Sequence, residues 1–126
     1  MTVFNIYGKN EDGELKFNLP FHQFELNDEI AVTRLIIEWK SPKEKMFGFI
    51  ESDLVDLSST NIKRELISFT KSERTGVTDI QVACPVFYEI QTQQLENVSV
   101  AVKPMFDKPL GDINNIYLQL LVKSVY

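Results

Sequence analysis

Short runs in which apolar and polar residues alternate recur along this sequence, and they constrain its fold more than any other feature. In 15–21, Leu and Phe alternate with Lys, Asn and Pro; in 116–123, every even-numbered position is Ile, Leu or Val. Successive side chains of a strand point to opposite faces of its sheet, so this pattern is typical of strands with one buried face. Such strands must stack into two sheets or close into a barrel to bury that face.

Further strand-like runs fill most of the remaining chain. They are separated by turns containing Pro, Gly, Asn or Asp, and lie near 30–39, 46–55, 77–84, 86–90 and 95–103. The count of eight to nine strands, with almost no helical pattern, predicts an all-β fold: an antiparallel β-sandwich or a barrel. In 30–39 the alternation changes phase between Val32 and Leu35, which predicts a β-bulge near Thr33 and Arg34.

The segment 58–67 fits two structures. Ser58 or Ser59 is a suitable helix N-cap, and Ile62 and Leu66 share a helical spacing. The alternative is a loop followed by a strand at Glu65–Thr70, which the strand-rich remainder of the chain favours.

Length and charge narrow the classes of function. A chain of 126 residues predicts one domain, 1–126. Its net charge of −5 repels a polyanion, so we expect no nucleic-acid partner. The N-terminal residues lack the apolar core of a secretion signal, and no run is long enough to span a membrane. We therefore expect a protein that is synthesised inside the cell and is either intracellular or assembled there.

Nucleophilic and zinc chemistry find little support in the sequence. Cys84 and His22 are the only residues of their types. They cannot form an intrachain disulfide or a zinc site built mainly from His and Cys. A Cys84–His22 dyad is conceivable, but a small apolar core position beside Pro85 is the favoured interpretation of Cys84.

Carboxylate chemistry is equally weakly supported. Asp53 and Asp56 would point to opposite faces of a strand, which does not suit a cooperating acid and base. Asp107 and Asp112 could contribute oxygen ligands to calcium, but no dense acidic pattern surrounds them. We therefore predict no catalytic residue, no metal and no cofactor, and hence no enzyme.

Most of the aromatic residues fit core positions. Trp39 and Tyr117 are the exceptions, because each is suited to an exposed or interface position. Together with Phe106 and Tyr126, they are the candidate subunit-interface residues.

From residue 50 onwards, strand patterns and turn residues follow one another in a recognisable order. The elements are Asp53-Leu54-Val55, Arg64-Glu65-Leu66-Ile67, Phe87-Tyr88-Glu89-Ile90, the strand 95–100, Asp107 with Leu110, and the closing strand 116–123. In this order the sequence resembles the single jelly-roll minor capsid, or penton, proteins of Polinton-type elements, adintoviruses and virophages.

The resemblance implies a single jelly roll and a structural role in the virion. Proteins of this kind form pentamers at capsid vertices and contact the major capsid protein, without an active site. Two alternatives remain: a small carbohydrate- or ligand-binding β-sandwich module, and a trimeric capsid-decorating or spike protein.

Overall fold

β-Strands make up most of the described part of the chain. A computed structural model describes residues 2–11, 14–18, 28–40, 45–52, 65–71, 76–90, 100–104 and 113–124. Within them there is no helix. These ranges contain nine strands: β1 (Thr2–Glu11), β2 (Glu14–Asn18), β3 (Glu29–Trp39), β4 (Met46–Ser52), β5 (Glu65–Lys71), β6 (Val77–Gln81), β7 (Tyr88–Glu89), β8 (Val100–Pro104) and β9 (Ile113–Lys123).

The strands form two antiparallel sheets. The larger sheet has the order β2-β1-β9-β3-β6, with β7 pairing further along the β3 edge, and the smaller has the order β5-β4-β8. The pairs β4–β5, β3–β6 and β1–β9 are nested one outside the other in sequence. Nested pairs divided between two sheets are the mark of a jelly roll, so the predicted antiparallel sandwich with a jelly-roll-like strand order is confirmed.

One apolar core joins the two sheets. Alternate residues of β3 and β9 point into it, including Leu35, Ile37 and Leu118, each almost fully buried. The smaller sheet contributes Ile50 and Phe69. The alternation seen in the sequence is therefore the packing pattern of a sandwich with one inner face per sheet.

The register between β3 and β9 confirms the predicted bulge. It shifts between Val32 and Arg34, so that Thr33 is the extra residue. The Thr33 hydroxyl donates a hydrogen bond to Gln119 Oε1 of β9 at 3.0 Å. The bulge resets the phase of β3, which returns Leu35 and Ile37 to the core.

The structure confirms one local prediction, corrects another and adds a strand. Residues 65–67 belong to β5, which confirms the strand at that end of 58–67; residues 58–64 lie outside the described part. The interpretation of Cys84 as a core residue is wrong: β6 ends at Gln81, and Cys84 is exposed in the connection that follows. The strand β1 was not expected, although it pairs with both β2 and β9.

Candidate functional site

The candidate interface residues are placed very differently by the fold. Trp39 is in the core, 4% exposed, with its Nε1 donating to Thr78 Oγ1 at 2.9 Å. The expectation of an exposed Trp39 is therefore wrong, and its indole offers almost no surface to a partner. Tyr117 lies on the outward side of β9. Phe106 and Tyr126 are outside the described residues.

The residues weighed for catalysis and metal binding are not brought together in the described part of the chain. His22, Asp53, Asp56, Asp107 and Asp112 all lie outside it. Within the described ranges, no three His, Cys, Asp or Glu side chains are close enough to hold a metal ion. The described residues also include no helix that is long and apolar enough to cross a membrane.

The most distinctive surface is the outer face of the larger sheet, which we define by three rows of side chains across β1, β9 and β3. The middle row is Tyr7, Tyr117 and Ile36, which are directly paired in the two registers. Tyr7 is 55% exposed, and its ring centroid is 5.1 Å from that of Tyr117. The rings are inclined by 47°, so they do not form one flat platform for a sugar ring.

The second row consists of Asn5, Gln119 and Arg34. Two of its members, Asn5 and Gln119, fix the Tyr117 ring by hydrogen bonds. The Tyr117 hydroxyl donates to Asn5 Oδ1 at 2.8 Å and accepts from Gln119 Nε2 at 3.1 Å. Gln119 is held in turn by the Thr33 hydroxyl of the bulge. The outer face is thus preorganised around Tyr117, since each of these side chains limits the rotamers of the next.

The remaining row carries charges of opposite sign. Lys9, Asn115 and Glu38 are paired across β1, β9 and β3, and Asn115 Nδ2 donates to Glu38 Oε1 at 3.4 Å. These three residues, with Tyr7 and Tyr117, line a shallow depression. The row therefore places a cation and an anion on either side of a central amide.

An ion pair borders the outer face on the β6 side. Arg34 Nε and Nη2 donate to the two carboxylate oxygens of Asp79 at 3.2 and 2.9 Å. The hydrogen bond from Arg34 holds the pKa of Asp79 below its ordinary value of 3.8; desolvation opposes this shift, and the charge of Arg34 adds to it. Both groups are open to solvent, so the pair contributes little to stability.

The pH dependence of this pair has a definite sign. Because the pKa of Asp79 is depressed in the folded state, its contribution is present above the unfolded pKa and is lost as pH falls through the folded pKa. We expect Asp79→Asn to lower the urea midpoint slightly at neutral pH. The difference from the wild type should vanish in strong acid; a difference that grows as pH falls would contradict this account.

Tyr7 and its neighbours on β1 were missed by the sequence analysis. The signal was present, because Phe4 and Ile6 point inward while Asn5 and Tyr7 point outward. Gly8 and Asn10 occupy the following two inward positions, however, so the apolar pattern stops halfway along the strand.

Comparisons of the chain with family models, with curated proteins and with solved structures find no match.

Proposed function

We propose that this protein is a non-enzymatic structural subunit of a virion, a minor capsid protein of the penton type. The observation that carries the proposal is the nested strand pairing, which gives a jelly-roll-like sandwich. The resemblance of residues 50–123 to single jelly-roll penton proteins supports the same function.

The two sides of the sandwich fit assembly into a ring. A closed ring requires that one surface of a subunit bind a different surface of its neighbour. Here β5 packs near β6 at one side, whereas β8 and β2 are at the far ends of their sheets. The sides are therefore unlike one another. Their edge strands carry backbone groups that a neighbouring subunit can cover.

In this proposal the subunits form a pentamer at a capsid vertex, and one end of the sandwich contacts the major capsid protein. The protein is made inside the cell and functions in the virion. Of the four candidate interface residues, Tyr117 is the one that the described residues place on the surface; it lies on the outer face of the larger sheet, away from the sides that form the ring.

The ring is tested by negative-stain electron microscopy of the purified chain, both alone and co-expressed with the major capsid protein encoded by the same genome. We expect particles with five-fold symmetry, or five-fold density at the vertices of co-assembled shells. Three-fold particles would replace the penton role with that of a decorating or spike protein. Shells that form without incorporating the chain would contradict a capsid role.

A further inference from the structure

We propose that the outer face binds a second copy of this chain face to face, about a two-fold axis that runs along β9. The contact is separate from the proposed ring, which uses the sides of the sandwich. It does not depend on the ring, because a two-fold contact joins the same surface of two copies, whereas a ring joins two different surfaces.

The charged row supplies the first argument. Lys9 and Glu38 flank Asn115 at equal distance, one strand spacing of about 4.8 Å to each side. Rotation by half a turn about β9 exchanges the positions of β1 and β3. Lys9 of each copy then faces Glu38 of the other, so the same attraction forms twice.

The middle row obeys the same symmetry. Tyr7 and Ile36 flank Tyr117, so the rotation places Tyr7 of one copy over Ile36 of the other and stacks the two Tyr117 side chains near the axis. An exposed aromatic ring thereby covers an aliphatic side chain in each half of the contact. Aromatic residues are enriched in the centres of such interfaces.

The ion pairs within the subunit favour this axis over an axis across the strands. The latter would bring Glu38 against Arg34, but Arg34 is already held by Asp79 through two hydrogen bonds. Within the described residues, Lys9 and Glu38 make no ion pair. They are the two charged side chains of the three rows that have no oppositely charged partner there. The axis along β9 is the one that pairs them.

The size of the face is sufficient for a weak dimer. The outer face is formed by β1, β9, β3 and their flanking strands. With strands of 10 and 11 residues at the usual rise and spacing, its area is about 600 Å² in each copy. The pair would bury about 1,200 Å², at the lower end for stable interfaces. Twisted sheets pack with their strands at about 30° to each other, which corresponds to a rotation about the perpendicular to the two faces. Because the three rows lie close to that perpendicular, this rotation shifts their side chains by only a few ångströms.

Charge exchange tests the contact directly. Light scattering and sedimentation would measure the mass of the wild type, of Lys9→Glu, of Glu38→Lys and of the double variant, in low salt. Each single variant sets like charges against one another, so its mass should fall to half that of the wild type. The double variant should recover it, and so should an equal mixture of the two single variants. Lys45→Glu, an exposed exchange directly before β4, the middle strand of the smaller sheet, is the control and should keep the wild-type mass.

The two proposals can fail separately. If the chain also forms rings, the single variants should remove the contact between rings and lower the mass to that of one ring, while five-fold symmetry remains. A wild-type mass that falls as salt is raised would agree with the charged row. A monomeric wild type, single variants of unchanged mass, or a mixture that stays dissociated would each overturn the face-to-face contact.

Discussion

Replacing Trp39 with alanine is expected to lower the free energy of unfolding by about 3–5 kcal/mol. The indole is 4% exposed and packs against Phe69, with ring centroids 5.9 Å apart. Its removal leaves a cavity where the two sheets meet and leaves Thr78 without its indole donor. The total free energy of unfolding of a domain of this size is about 5–15 kcal/mol, so the variant should unfold at a much lower urea concentration.

Two smaller substitutions separate packing from hydrogen bonding at this position. Trp39→Phe keeps an aromatic ring near Phe69 but loses the Nε1 donor, and Thr78→Val keeps the volume but loses the acceptor. Each should cost about 1–3 kcal/mol, because each leaves a buried polar group unpaired. The double variant should cost less than the sum of the two. Strict additivity in urea unfolding would show that the bond contributes nothing.

The long central strands could be predicted from the sequence because their pattern is regular. Every second residue of β9 from Ile116 to Val122 is aliphatic, and all four are buried. The phase change between Val32 and Leu35 even located the bulge, since one extra residue is the simplest way to keep both in the core. Alternation alone was enough for these elements.

The rest of the fold depends on pairings that alternation does not encode. β1 has few apolar residues, and it is stabilised by its position between β2 and β9 rather than by its own pattern. The short β6 ends at Gln81, three residues before Cys84, because pairing with β3 stops there. Local sequence carries no signal for where a partner strand ends.

The outer face shows the same limit for function. Tyr117 was a candidate from the sequence, but its neighbours Tyr7 and Ile36 come from strands far away in the chain. Trp39 was a candidate by residue type, and the structure instead gives its polar nitrogen a buried partner in Thr78. Residue type suggested which side chains suit an interface; only the register shows which of them lie together.

Gly48→Ala is expected to destabilise the sandwich by about 1–3 kcal/mol through overpacking. A Cβ atom at Gly48 would lie 2.7 Å from Phe69 Cζ and 2.9 Å from the Lys103 carbonyl oxygen. The backbone φ of Gly48 is not left-handed, so the cost comes from space alone. Gly76→Ala is the matched control: a Cβ there meets nothing within 4 Å, and its urea midpoint should stay close to that of the wild type.

The two contacts at Gly48 can be separated by changing Phe69. Phe69→Leu in the Gly48→Ala background removes the ring atoms that face the new methyl group, but the Lys103 carbonyl is backbone of β8 and cannot move without disturbing its pairing with β4. We therefore expect only partial compensation in a double-mutant cycle of urea unfolding.

Gly8→Ala offers a contrast, because the three atoms nearest to the new Cβ all belong to side chains, Cγ2 of Ile116 and two ring atoms of Phe17. Ile116→Leu combined with Phe17→Leu changes both neighbours, and the pair should relieve a larger share of the cost at Gly8. Equal compensation at both glycines would show that β8 yields as readily as a side chain, and that the smaller sheet is less rigid than its hydrogen-bonded register implies.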